Sequence, residues 1–420
     1  RAESRVWTLM LLLGTCLLYC ARVTVPICAL ALSSHFDWDK KQFGVVLSSF
    51  FWGYCLTQII GGHISDQIGG EKVLLLSASA WGLLTVLTPL LTHITSAHLV
   101  FMTSSRFLMG LLQGVYFPSL ASLLSQRVRE SERAFTYSTV GTGSQFGTLL
   151  IGGAGSLLLD WYGWESVFYF SGLLTLLWVY CTCKYLLSEK ELTIPMNYLT
   201  RGLSIPKQTK VPWKQLFRKA PIWAVIIAQL STASTFFTLL SWLPTFFKET
   251  FPDSKGWVFN VVPWLVAIPT SLFSGFLSDH LISQENVLWC LIFPFFQVIG
   301  SGVSSIFALC LGQTNSFCKA IMFASASVGL QTFNHSGISV NVQDLAPSCA
   351  GLLFGKDSAG FLLGGHGVIC VYLAGYLIET TGSWISVFNL VAAVNSIGLC
   401  TFLLFGEAQR VDTDSVYMDL

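Results

Sequence analysis

The sequence predicts an all-α membrane protein, with twelve transmembrane helices in two pseudo-symmetric six-helix bundles. Three observations predict it. Of 420 residues, 53% are apolar and only 11% charged, against roughly 25% charged in an average soluble chain. Mean hydropathy is +0.64, which leaves too little polar surface to cover a water-soluble globule and excludes intrinsic disorder. Finally, apolar stretches of about 20 residues, the length that crosses a 30 Å hydrocarbon core, recur along the chain.

Those stretches fall at 6–32, 42–62, 73–95, 98–124, 134–158, 166–186, 221–247, 257–281, 287–312, 317–343, 350–377 and 383–406. The first is too long for the apolar region of a signal peptide and holds Arg22 inside it. Because residue 1 is Arg and not Met, a further N-terminal segment is expected to precede it. The fourth stretch holds Arg106. The fifth gathers Gly141, Gly143, Gly147, Gly152, Gly153 and Gly155, a small-residue face that lets helices approach closely. Within the tenth lies a polar run, Gln331-Thr-Phe-Asn334-His335-Ser. Lys356 and Asp357, near the cytoplasmic end of the eleventh, are explained by snorkelling. The polar stretch 188–220, with Pro195, Pro206 and Pro212, splits the chain into bundles 1–187 and 221–408, and 409–420 forms a tail.

Lys and Arg in the connecting loops orient the chain. With a cytoplasmic N-terminus, fifteen basic residues fall on the cytoplasmic side and five (Lys40, Lys41, Lys248, Lys255 and Lys319) on the other. Both termini are therefore expected in the cytoplasm. A net charge of +1 gives no general attraction to nucleic acid. The twelve cysteines lie scattered without metal-ligand spacing, and no phosphate-binding Gly-rich loop occurs.

An internal repeat supports two related halves. Gly62-His-Ile-Ser-Asp66-Gln-Ile68 is echoed 213 residues later by Gly275-Phe-Leu-Ser-Asp279-His-Leu281. Trp164-Glu-Ser-Val-Phe168 is echoed 220 residues later by Trp384-Ile-Ser-Val-Phe388. Two echoes at nearly one offset, each in the equivalent place of its half, resemble the architecture of the major facilitator superfamily, in which substrate is handled near the membrane midplane. The first echo resembles that superfamily's loop motif through Gly62, Asp66, Gly69 and Lys72, although Gln67 replaces the usual basic residue. A carboxylate there can cap a neighbouring helix start and hold the cytoplasmic face closed. Gly62, Asp66, Lys72, Gly275 and Asp279 are accordingly the expected gating and structural residues.

A charge inside the bilayer is costly and points to function. Arg22 and Arg106 lie about 15 and 12 Å from the exterior ends of antiparallel spans, at a rise of about 1.5 Å per residue, so the two can share one depth. No acidic residue sits in the core of the first six spans. Two uncompensated guanidiniums facing a cavity read as an anion site, since the planar fork matches carboxylate and phosphate.

Ser49-Phe-Phe-Trp-Gly-Tyr54, Arg106-Phe-Leu-Met-Gly-Leu-Leu-Gln-Gly114, Tyr116-Phe-Pro118 and Gly163-Trp-x-Ser-Val-Phe-Tyr169 resemble the organic-anion branch of the superfamily, which holds type I phosphate cotransporters, sialin and vesicular glutamate transporters. Cys16-Leu-Leu-Tyr-Cys-Ala-Arg22, Gly69-Gly-Glu-Lys72, Asn334-His-Ser-Gly-Ile-Ser and Gln343-Asp-Leu-Ala-Pro are most similar to its nucleotide carriers. The resemblance implies that Arg106 handles the anion and Arg22 assists. With the motifs and polar cluster it makes Tyr116, Asn334 and His335 further substrate-binding candidates. Gln113 stands where many relatives carry a proton-coupling Glu, while Leu47 and Thr232 replace a His and an Arg of the glutamate carriers. The basic loop expected over 284–297 is missing, and 356–372 fits poorly.

The expected activity is membrane-potential-driven loading of nucleotide anions such as ATP from cytosol into secretory vesicles or lysosomes. It is energised by a vesicular proton pump, with no cofactor, and chloride activation is implied by the resemblance alone. A proton- or sodium-coupled carrier of sialic acid, glutamate or phosphate, and a non-transporting, receptor-like form, stay open. An enzyme is not expected. Tyr417-Met-Asp-Leu420 fits a cytoplasmic endolysosomal sorting signal.

Overall fold

The computed structural model describes residues 2–127, 136, 139–185, 218–283, 289–334 and 359–406. Outside them lie most of the central stretch 188–220, the tail from 407, His335, Lys356, Asp357 and Tyr417, as well as the segment 284–288. Among the described residues every regular element is helical.

Contacts divide the chain into two compact units. The first is Arg1–Lys207 with Lys255–Val261, and the second Gln208–Ser254 with Val262–Leu420. In the first unit α1 (Ala2–Ile27) and α2 (Ala29–Phe36) together fill the first expected span. The span is interrupted at Cys28, two residues after Pro26, while Cys28 N still donates to the Thr24 carbonyl at 3.1 Å. Next come α3 (Lys40–Ile68), α4 (Gly70–Ile94), α5 (His98–Gly114) and α6 (Tyr116–Arg127). Asp39 starts α3 with a capping box: its carboxylate accepts from Gln42 N at 2.6 Å, and Gln42 Oε1 accepts from Asp39 N at 3.2 Å. The fifth span runs as α7 (Gly143–Leu150), a π-helical turn (Ile151–Gly155) and α8 (Ser156–Tyr162), followed by α9 (Trp164–Tyr185).

The second unit holds α10 (Ala220–Thr250), most of α11 (Gly256–Ser283), and α12 (Trp289–Gln297) joined through a π-helical stretch (Val298–Val303) to α13 (Ser304–Gln313). After these come α14 (Phe317–Gln331), α15 (Ala359–Thr381) and α16 (Ile385–Phe405). The start of α11 packs with the first unit, where Asn260 Nδ2 donates to Ser156 Oγ at 2.8 Å. Seven helices among the described residues are long and apolar enough to cross a membrane.

Glycine lets α3 meet α5, and α4 meet α6, backbone to backbone. A Cβ on Gly53 would strike the Phe107 carbonyl, one on Gly110 the Phe50 carbonyl, and one on Gly70 the Ser119 carbonyl. Gly61 lies against Val115, and Gly114 against Thr57 and the Tyr54 carbonyl. Gly143 and Gly147 do the same for α1, against the carbonyls of Leu12 and Cys16. The second sequence echo is structural too. Trp164 opens α9 and Trp384 caps the start of α16, each shortly after a left-handed glycine (Gly163, φ 91°; Gly382, φ 64°).

Candidate functional site

The close crossing of α3 and α5 places Phe50 beside Arg106, one turn before Gly110. Arg22 arrives on α1, held from the other side by Gly147, whose missing Cβ leaves room for the Cβ of Tyr19. Both guanidiniums share the Phe50 ring, with Arg22 Cζ 5.0 Å and Arg106 Cζ 4.9 Å from its centroid. Arg22 Cζ also lies 4.6 Å from the Tyr19 ring and 5.0 Å from that of Tyr54. Arg106 Nη2 donates to the main-chain carbonyl of Arg22 at 3.3 Å.

Gln113 fixes this arrangement. Its Oε1 accepts from Arg22 Nε at 3.3 Å, and its Nε2 donates to the Leu18 carbonyl at 3.3 Å. Gln113 therefore ties Arg22 to the preceding turn of its own helix. A carboxylate at this position accepts but cannot donate.

Arg22 is 3% exposed and Arg106 5%. Among the described residues these two are the buried charged side chains, and both are positive. Ring quadrupoles and carbonyl dipoles stabilise them, leaving their charge uncompensated. Arg22 Nη2 and Arg106 Nε have no protein acceptor. Two positive charges with unspent donors have the chemistry that suits an oxyanion.

Tyr116 sits apart from this pair. Its hydroxyl approaches Thr15 Oγ1 at 3.2 Å and donates to the Leu11 carbonyl at 3.3 Å. Thr15 precedes Arg22 by seven residues, about 10 Å along the helix. Trp178 Nε1 joins the same tie by donating to the Met10 carbonyl at 3.0 Å. Tyr116 is fully buried and, in this structure, staples α6 to α1.

Asn334 lies in the second unit, where its Oδ1 accepts from Ser301 Oγ at 3.2 Å. His335, the next residue, is outside the described residues. Gly62 and Asp66 fall in α3 and Asp279 in α11, with the Gly62, Asp66 and Asp279 side-chain positions outside the described residues. Gly69 links α3 to α4 at φ 108°, a left-handed conformation suited to glycine. Lys72 stands half-buried in the first turn of α4, and a Cβ on Gly275 would meet nothing within 4 Å.

Sequence reasoning passed over the aromatic cradle of Tyr19, Phe50 and Tyr54 and the tie made by Gln113. The signal for the cradle was available in the Phe-Phe-Trp-Gly-Tyr run, which sets rings one turn apart on a helix facing an arginine.

A family model described as Major Facilitator Superfamily matches residues 10–355. The human voltage-gated purine nucleotide uniporter SLC17A9 is 66% identical over 421 residues, covering 100% of this chain and 96% of its own. Human sialin is 30% identical over 389 residues, covering 89% and 78%. Among solved structures, the inward-open xylose transporter XylE from E. coli superposes with a TM-score of 0.72 at 14% identity, covering 98% of each chain.

Proposed function

The chain belongs to the major facilitator superfamily, and from that premise we propose that it is a membrane-potential-driven carrier of purine nucleotides. One observation carries the reading: the buried charge among the described residues is a pair of arginines with unspent donors and no buried carboxylate beside them. Such a site favours a polyanion, and transport of a polyanion responds steeply to voltage. Each elementary charge gains about 2.3 kcal/mol per 100 mV. A nucleotide with about four negative charges therefore gains roughly 9 kcal/mol, some six decades of accumulation.

Proton coupling adds little to that gradient and needs a titratable group, where this chain has Gln113. That is why a proton- or sodium-coupled carrier of sialic acid, glutamate or phosphate is the weaker reading. The proposal extends to location and energy source. Nucleotide moves from cytosol into secretory vesicles or lysosomes, whose proton pump sets a lumen-positive potential. The halves 1–187 and 221–408 are the two bundles, joined by 188–220 and followed by the cytoplasmic tail 409–420. No reaction chemistry and no cofactor enter, and chloride is the activator that the family resemblance implies.

Reconstitution in liposomes tests the central claim. Collapsing the potential with an ionophore while the pH gradient is kept abolishes ATP uptake under this reading. Uptake that persists under those conditions overturns it.

A further inference from the structure

The second unit buries no charged side chain among its described residues. It buries carboxamides. Thr235 on α10, Gln331 at the end of α14 and Asn395 on α16 are 2%, 4% and 0% exposed. The Thr235 hydroxyl donates to Asn395 Oδ1 at 3.0 Å and accepts from Gln331 Nε2 at 3.4 Å. A hydroxyl has one hydrogen, for which the Ser231 and Thr232 carbonyls at 3.1 and 3.0 Å also compete; in the bridge it engages the carbonyl of one amide and the NH2 of the other. What remains is one donor, Asn395 Nδ2, and one acceptor, Gln331 Oε1, neither with a protein partner. Exchanging both amide orientations again leaves one donor and one acceptor.

The same arrangement recurs three residues along the chain. Gln297 Nε2 donates to Ser301 Oγ at 3.0 Å, and Ser301 donates to Asn334 Oδ1 at 3.2 Å. Gln297 Oε1 and Asn334 Nδ2 are left without partners. The π-helical stretch places Ser301 in this row, and Gly300 lies directly against Asn334.

Unpaired polar atoms inside a helical unit are destabilising, and native folds keep them rare. Four buried carboxamides, each with one amide atom left without a protein partner, leave unspent donors and acceptors for a ligand that presents both. A purine base is such a ligand: in adenine N7 accepts while the N6 amino group donates, the complement of one free donor and one free acceptor taken from two amides. Neutral amides do this without competing for the phosphate charge. We propose that the Thr235–Gln331–Asn395 cluster reads the hydrogen-bonding edge of a purine base. The assignment rests on the nucleotide reading above and specifies which residues recognise the base rather than the phosphates.

The test uses the full chain in liposomes under an imposed potential, with ATP uptake measured against inorganic triphosphate, which has the charge but no base. Asn395→Leu and Thr235→Val raise the ATP concentration for half-maximal uptake roughly tenfold and shift inhibition by triphosphate less than about twofold. Thr235→Ser, which keeps the hydroxyl, recovers most of what Thr235→Val loses. Should Asn395→Leu fail to assemble, Thr235→Val, a replacement of one oxygen by a methyl group, gives the same readout. Equal shifts for ATP and triphosphate, or no shift for either, overturn the assignment. A wild-type protein that transports triphosphate but no nucleotide overturns the nucleotide reading itself, and the base-reading cluster with it.

Discussion

The two units solve the problem of buried polarity in opposite ways. The first concentrates charge: Arg22 and Arg106 share the Phe50 ring, and the buried residues around them supply no counter-ion. The second concentrates neutral amides around Thr235 and Ser301. Yet both units start a helix with the same Trp-x-Ser-Val-Phe run after a left-handed glycine. The repeat thus retains helix-starting scaffold while the buried polar chemistry diverges. Charge attracts an anion without discriminating shape, whereas fixed donors and acceptors discriminate shape with little attraction.

Removing charge breaks this contrast most completely. Arg106→Ala removes charge-assisted hydrogen bonds worth about 1.5–3 kcal/mol, so nucleotide affinity falls from roughly ten- to more than a hundredfold. Because the change also relieves repulsion with Arg22, the protein reaches normal abundance. Arg106→Lys restores part of the affinity, since a point charge lacks the planar fork. Abundance and uptake measured together decide the matter: normal values of both for the Ala variant would remove Arg106 from any role.

Adding a carboxylate sharpens the contrast with a smaller effect. In Gln113→Glu the ionised side chain neutralises Arg22 and loses its donor to the Leu18 carbonyl. Affinity at neutral pH falls by about an order of magnitude, or 1.4 kcal/mol. Protonation restores both the donor and the uncompensated arginine charge, so uptake by this variant rises as pH falls at clamped potential. Wild type stays flat over the same range as far as this position is concerned. A flat profile for the variant would show that Gln113 does not govern the charge at Arg22.

The smallest effect separates packing from binding. Tyr116→Phe loses the bonds to Thr15 and the Leu11 carbonyl and costs about 0.5–1.5 kcal/mol of stability. Thermal melting registers that loss while nucleotide affinity holds. A fall in affinity at unchanged melting temperature would instead return Tyr116 to the substrate site.

The spans and both arginines were legible in the sequence because hydrophobic length and intramembrane charge are conspicuous locally. Arg22 and Arg106 do meet at one aromatic ring, in keeping with the helix-rise expectation. For Tyr116 the motif marks the helix, and the fold adds the bonds of its hydroxyl to α1. The carboxamide cluster was nearly invisible, since Thr235, Gln331 and Asn395 come from three separate helices and none is unusual alone. Asn395 in the apolar run Val391-Ala-Ala-Val-Asn395 was the available clue. Pro26 marks the neighbourhood of the interruption at Cys28, whereas the π-helical turns have no comparable marker in the sequence.

The glycine seam between α3 and its partners has a mechanical consequence. Where main chain touches main chain between α3 and α5 at Gly53 and Gly110, no side chain lies between the helices to change rotamer. Such a crossing has one tilt and one separation, and it resists shear because every ångström of slip drives Cα into carbonyl. Two helices so joined behave as a single stiff plate. Phe50 and Arg106 are mounted on that plate, which fixes the backbone separation beneath the ring and the guanidinium.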